Sequence, residues 1–146
     1  MEQIKIDNFN KATPEFNFPS YTTLAKKDCE KIRFTLSQKL GIEYPCDDLA
    51  LVYEVDKLSV LYEEKRCDDE SFNLNNLLFL LKIQAPEYVC INWHRFDVID
   101  KVKFDDLSTH FDDIWYPSVD DINIFNEPLT WLLSVTHYGR VKVLRL

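Results

Sequence analysis

Glycine is almost missing from this chain: Gly41 and Gly139 are the only two among 146 residues. Dinucleotide fingerprints, phosphate-binding loops and nucleophile elbows all use clustered glycines to bring backbone against a ligand, so none of them can be built here. Paired cysteines are missing too. Cys29, Cys46, Cys67 and Cys90 stand 17, 21 and 23 residues apart. Without a CxxC pair, neither a zinc knuckle nor a thioredoxin-type dithiol is suggested. The opening MEQIKIDNFN has no apolar stretch of the signal-peptide kind, so free thiols in a reducing cytoplasm are expected. The longest apolar runs, such as LLFLL, fall far short of a membrane span, and a soluble protein is expected.

Basic residues are also in short supply. Seventeen Lys and Arg face 25 Asp and Glu, for a net charge of −8 and a pI near 4.8. A nucleic-acid binder needs cations to displace phosphate counterions, and adhesion to an anionic membrane needs them as well. Both classes are excluded, and a basic protein is the partner that such a charge steers in. The shortage is greatest between Phe104 and Gly139, where 36 residues hold seven carboxylates and no Lys or Arg.

What the chain has is apolar bulk. Apolar residues make up 46%, with ten Phe, seven Tyr and three Trp, enough for an ordered core in one domain without staples. The pattern predicts an α+β domain over 1–146, mostly antiparallel sheet with two or three helices and a C-terminal three-stranded meander. Residues 1–20 read as an irregular arm with a short strand at QIKID, where Ile4 and Ile6 alternate. Phe16 and Phe18, beside Pro14 and Pro19, are expected to pin the arm by packing.

A helix is predicted from about Tyr21 to Leu40. Ser20 or Thr22 would cap it, and Gly41 would supply the left-handed residue past its end. Ala25, Cys29, Ile32, Leu36 and Leu40 form its apolar stripe. In LALVYEVDKLSVLYEEK, residues 49–65, the density of Val and Tyr predicts a hairpin turning at Asp56-Lys57. The charged run EEKRCDDE reads as a solvated loop. A second helix is predicted over Asn73 to Gln84, capped by Asn73 or Ser71 and sandwiched between layers because LLFLLKI is apolar nearly all round. EYVCINWHRF, residues 87–96, reads as a central strand.

Three places hold residues that could carry chemistry. His94, between Trp93 and Arg95, has the makings of a general base, but no carboxylate is set beside it by spacing. Phe104, Leu107, Phe111 and Trp115, spaced 3, 4 and 4, predict a helix over 103–114. On that helix Asp106 and His110 would share a face as two metal ligands do. The zincin pattern wants a second His at that spacing, and it is not there, so neither a metal nor a cofactor is expected. The third place is the C-terminal meander, Asp120 to Leu146, taken as the edge of the sheet. A three-residue loop His137-Tyr138-Gly139 pairs Val135 with Val141 and Leu133 with Val143. It sets Ser134 against Lys142 and Thr136 against Arg140, which separates apolar from polar faces. Gly139 then takes the left-handed position of a G1-bulge turn.

The ending YPSVDDINIFNEPLTWLLSVTHYGRVKVL resembles that of small bacterial proteins grouped among immunity or uncharacterised families. There a Tyr-Pro-x-x-Asp-Asp segment precedes a strand and a Trp-Leu-Leu-x-Val-Thr-His-x-Gly hairpin follows. The matching positions are Tyr116, Pro117, Asp120, Asp121, Trp131, Leu132, Leu133, Thr136, His137 and Gly139, within the final fifth of the chain. The resemblance implies a cytoplasmic, non-catalytic protein that binds and neutralises a basic toxin; it brings no functional residues with it.

Three functional readings result. In the first, Asp105, Asp106, Asp112, Asp113, Asp120 and Asp121 form a partner-binding surface that mimics a polyanion. In the second, the chain is a metal-dependent hydrolase using Asp106, His110, Asp112 or His137. In the third, it is a subunit of a larger assembly, with Trp115 and Tyr116 exposed in the contact.

Overall fold

A computed structural model describes residues 1–47 and 49–146. Among these the chain forms six helices and one seven-stranded sheet. The strands are β1 (Tyr21–Thr23), β2 (Val60–Arg66), β3 (Tyr88–Asn92), β4 (Ile99–Lys103), β5 (Ile122–Phe125), β6 (Trp131–Val135) and β7 (Arg140–Arg145). Their order across the sheet is β1-β4-β3-β5-β6-β7-β2, and every neighbouring pair is antiparallel. The α+β class and the C-terminal meander are as expected. The helices are more numerous than the two or three predicted, because several are only one or two turns long.

Side chains alternate across the strands and split the core in two. One face carries Val89, Ile91, Val102, Ile124, Leu133 and Val141 against α4 (Leu74–Leu80), α5 (Phe104–Thr109) and α6 (Phe111–Ile114). The other carries Cys90, Ile99, Phe125, Leu132 and Leu144 against α2 (Lys26–Leu40) and α3 (Ala50–Leu58). The sheet is therefore the middle layer of three. A row of polar residues runs across the second face: Asn92 Nδ2 donates to Asn123 Oδ1 at 2.8 Å, and Asn123 Nδ2 to Ser134 Oγ at 2.9 Å. The three residues sit opposite one another on β3, β5 and β6. A one-residue slip of any strand would leave buried Asn92 and Ser134 and half-buried Asn123 without these partners, so the row fixes register.

The β6–β7 hairpin has the register that face separation demanded, Val135 opposite Val141 and Leu133 opposite Val143. Gly139 sits at φ 76. The meander is not the edge of the sheet, however. β2 pairs with β7, with Val60 opposite Val143, and all five residues of β6 are buried.

Four further expectations are corrected. The first is the strand at QIKID, which is α1 (Gln3–Ala12). Its buried residues are Lys5 and Phe9, one helical turn apart, while Ile4 is exposed. Phe9 meets Phe18 edge-on at 5.4 Å, so Phe18 does pin the arm, whereas Phe16 is exposed. The second is the 49–65 hairpin, which is α3 followed by β2. Leu51 and Val55, four apart, face the core, and burial of that stripe outweighs the strand propensity of Val and Tyr. The third is the long helix from Tyr21, which begins only at Lys26 because the β-branched Thr22 and Thr23 belong to β1, paired with β4. It ends as expected on Gly41 at φ 71, with Ile42 N–H closing onto the Ser37 carbonyl at 2.9 Å. The fourth is α4, which is capped by Asn73 accepting from Asn76 N–H at 3.0 Å but is not sandwiched: Phe79 is 81% exposed.

Candidate functional site

The six aspartates singled out in the sequence do not form one surface. Asp105 and Asp106 lie in the first turn of α5, Asp112 and Asp113 in the first turn of α6. Carboxylates there oppose the positive end of the helix dipole, so each has a local structural use besides any contact with a partner. Asp105 and Asp112 are exposed, Asp106 and Asp113 half-buried.

Asp120 is the exception and a correction. It is 8% exposed and belongs to the interior. Its Oδ2 accepts from Lys5 Nζ at 2.5 Å and from Tyr116 N–H at 2.7 Å, and its carbonyl accepts from Trp115 Nε1 at 2.9 Å. Lys5 is fully buried, with its ammonium 4.0 Å from the Tyr116 ring centroid and 5.4 Å from that of Trp93. Asp120 therefore fastens α1 to the body and presents no charge to a partner. Trp115, expected at an exposed contact, is 1% exposed, and Tyr116 covers the buried lysine. A second buried carboxylate, Asp100 on β4, accepts from Trp93 Nε1 at 2.7 Å, Thr23 Oγ1 at 2.5 Å and the Met1 amino group.

Asp121 is exposed and holds the β6–β7 turn. Its Oδ1 accepts from His137 N–H at 2.8 Å, with the His137 Nδ1 at 2.9 Å. This gives His137 the partner that sequence spacing could not supply. The same turn is gripped from the other side by the end of β2. Arg66 donates to both oxygens of Asp68, at 2.9 and 2.6 Å, and to the Tyr138 carbonyl at 2.6 Å. The Arg66 guanidinium holds the Asp68 carboxyl below its ordinary range. Cys67 N–H donates to the Gly139 carbonyl at 2.9 Å. The absent Gly139 side chain leaves the space that the Asp68 carboxylate occupies.

The charged run dismissed as a solvated loop therefore joins the candidate site. Asp68, Asp69 and Glu70 are exposed beside the turn. Asp112 is close enough to Cys67 to help raise its thiol pKa, which burial pushes up to about 12. The result is one acidic end of the molecule, assembled from the loop after β2, the first turn of α6 and the loop before β5. The cations near it include Arg66, engaged as described, Arg140, which pairs opposite Arg66 on β7, and the exposed Lys65 beside Ser71 to Asn73. The signal available in the sequence was the concentration of charge in EEKRCDDE itself.

The metal reading loses its geometry. His110 ends α5 and starts α6 at φ −113, so Asp106 and His110 do not stand on one continuous helix. His110 Nδ1 lies 3.3 Å from Asp113 Oδ2, and its ring meets Phe9 edge-on at 5.3 Å. Among the described residues no three His, Cys, Asp or Glu converge as a metal site needs. His94 is exposed in the β3–β4 turn and its Nε2 accepts from Arg95 Nε at 3.0 Å. Two open clefts, of about 570 Å³ beside Trp131 and Arg145 and about 560 Å³ beside Cys29 and Cys46, include none of the six aspartates. No helix among the described residues is long and apolar enough to cross a membrane.

These features define an antiparallel α+β protein of three layers with an acidic end. No protein family, curated protein or solved structure was found to match the chain.

Proposed function

We propose that this chain is a non-catalytic, cytoplasmic binding protein whose acidic end docks a basic protein. An immunity-type protein neutralising a basic toxin is the form of that function which the C-terminal resemblance suggests. One observation carries the reading. Asp112, Asp69 and Glu70 come from separate parts of the chain, stand exposed on one end, and are backed by a turn that Arg66, Asp68 and Asp121 hold in shape. A surface held in this way keeps its charge pattern before a partner arrives, which lowers the ordering cost of binding. Complementary charge then raises the association rate and excludes wrong partners.

The test is titration calorimetry against the basic product of the adjacent reading frame at two salt concentrations. Association is expected to weaken with salt, and Asp69→Lys with Asp112→Lys to weaken it by about tenfold or more. Binding that ignores both the salt and the reversed charges removes the acidic end from the interface.

A further inference from the structure

The two edges of the sheet are finished differently. β1 has three residues, too short to template another strand. β2 has seven, six of them exposed and Tyr62 half-buried against the core. Its second half is defended by charge, Glu63-Glu64-Lys65-Arg66, and by a break in register between Tyr62 and Arg66. Its first half, Val60-Leu61-Tyr62, has neither defence: it pairs regularly with Val143, Lys142 and Val141 and carries no charge. Val60 is 72% exposed. Beside it an open groove of about 410 Å³ is lined by Leu58, Leu81, Val143 and Leu144, with Arg145 at its margin donating to the Leu81 carbonyl. Leu80, next to Leu81 at the end of α4, is exposed as well. A regular apolar edge with a side-chain groove next to it is the arrangement that accepts an added strand: main-chain hydrogen bonds supply affinity and the groove supplies specificity.

We propose that the outer edge of β2 receives an extended segment of a basic partner as an eighth, antiparallel strand. In chain order the segment carries two Lys or Arg followed by three apolar residues. The order follows from charge. The ladder runs antiparallel to Val60-Leu61-Tyr62, where β2 is regular, with the apolar side chains alternating between the two faces of the sheet, and the cations that precede them reach the exposed side chains of Glu63 and Glu64. Past Lys65 and Arg66, of which Arg66 is held by Asp68, the basic end of the segment points toward the carboxylates of Asp69 and Glu70.

A second copy of this chain fits the edge poorly. A two-fold antiparallel pairing must place one residue opposite its own mate. Centring on Glu63 or Glu64 opposes like carboxylates, and centring on Tyr62 sets Leu61 and Val60 against glutamates. Centring on Leu61 leaves a short ladder between two molecules of charge −8 each.

This inference rests on the reading that the acidic end docks a basic partner, and the experiment separates the two. The full-length, 15N-labelled chain is titrated at millimolar concentration with a blocked Lys-Lys-Val-Phe-Val peptide. Two controls are the same peptide with alternate backbone amides N-methylated, and its Glu-Glu-Val-Phe-Val counterpart. Saturable shifts at the backbone amides of Val60 to Glu64 are expected, lost on N-methylation and weakened about tenfold with the acidic peptide. Val60→Thr with Leu61→Glu abolishes the shifts without altering the circular dichroism spectrum, whereas Asp69→Lys with Asp112→Lys leaves them in place. No shifts, shifts elsewhere, or binding indifferent to N-methylation overturns the strand. Shifts at β2 that grow with protein concentration alone assign the edge to a second copy and overturn it equally. If partner binding falls with the aspartate reversals but not with the β2 variant, the acidic end stands and the strand does not.

Discussion

Lys5 Nζ and Asp120 Oδ2 meet at 2.5 Å inside the protein, 115 residues apart in sequence. The lysine is wholly buried and the carboxylate nearly so. Beyond Asp120 the ammonium faces two aromatic rings, with Glu2 at 3.9 Å. The pair ties the N-terminal helix to the loop that leads into β5, and it removes from the surface one of the aspartates that sequence reasoning had placed there.

Breaking a buried pair from one side leaves an uncompensated charge, which costs about 3–5 kcal/mol. Lys5→Met is expected to destabilise by roughly that much. Asp120→Asn is the milder change, because the amide oxygen still accepts from Tyr116 N–H and the rings and Glu2 still face the cation. The double variant Lys5→Met/Asp120→Asn is expected to cost less than the sum of the two. Urea unfolding of the four proteins gives the cycle. Strict additivity would show that the pair is not coupled.

Gly139 is the single position where the acidic end depends on a missing side chain. At φ 76, any L-residue is strained, and a Cβ there collides with the Asp68 carboxylate that Arg66 grips at both oxygens. Gly139→Ala is expected to lower stability by about 1–3 kcal/mol. It should also speed hydrogen exchange at Cys67 N–H, whose acceptor is the Gly139 carbonyl. Asp68→Ala in the same background frees the space and recovers part of the loss. An unchanged exchange rate in Gly139→Ala would show that the clasp does not hold the turn.

The parts of the fold that could be read from the sequence are those where burial follows simple periodicity. The β6–β7 hairpin came out in register because Leu133, Val135, Val141 and Val143 alternate and Gly139 marks the turn. The stripe Cys29, Ile32, Leu36 gave α2, with Gly41 marking its end. Reading failed at α1 because the residue on its buried face is a lysine, so Lys5 and Phe9 showed no apolar period while exposed Ile4 suggested a false one. It failed at α3 because strand-forming residues happen to occupy a helical stripe. At the candidate site, Asp105 and Asp112 could be placed on the surface from the spacing of Phe104, Leu107 and Phe111. The burial of Asp120 and the Asp121–His137 contact depend on chain crossings of 115 and 16 residues that no local pattern reports.

The aspartates should divide accordingly under charge reversal. Asp105→Lys and Asp112→Lys act at exposed helix starts, where each loses a favourable dipole contact of about 0.3–1 kcal/mol. Asp120→Lys puts a second cation beside Lys5 in the interior and is expected to leave little folded protein. Thermal denaturation of the three variants is the check. A stable Asp120→Lys protein would mean that the loop carrying residue 120 can swing outward, returning that position to the candidate surface.

The thiols offer a test of burial that is independent of charge. Burial pushes Cys67 up to about 12 and Cys90 up to about 11, and it raises Cys29 as well. The thiolate is the nucleophile, so these three are expected to resist a thiol reagent in the native state, while half-buried Cys46 reacts first. The same raised values have a consequence for stability. A thiol raised in the folded state keeps its proton where the unfolded chain has already lost it, so the unfolded state binds fewer protons in that interval. Stability therefore falls as pH rises from the ordinary thiol range toward about 11 and 12. Cys67→Ala, compared with the parent by urea unfolding at successive alkaline pH values, should flatten that fall while costing some stability at neutral pH through the lost packing. If the fall is as steep without the thiol, Cys67 does not titrate differently in the two states, and its burial beneath the β6–β7 turn is looser than the contacts indicate.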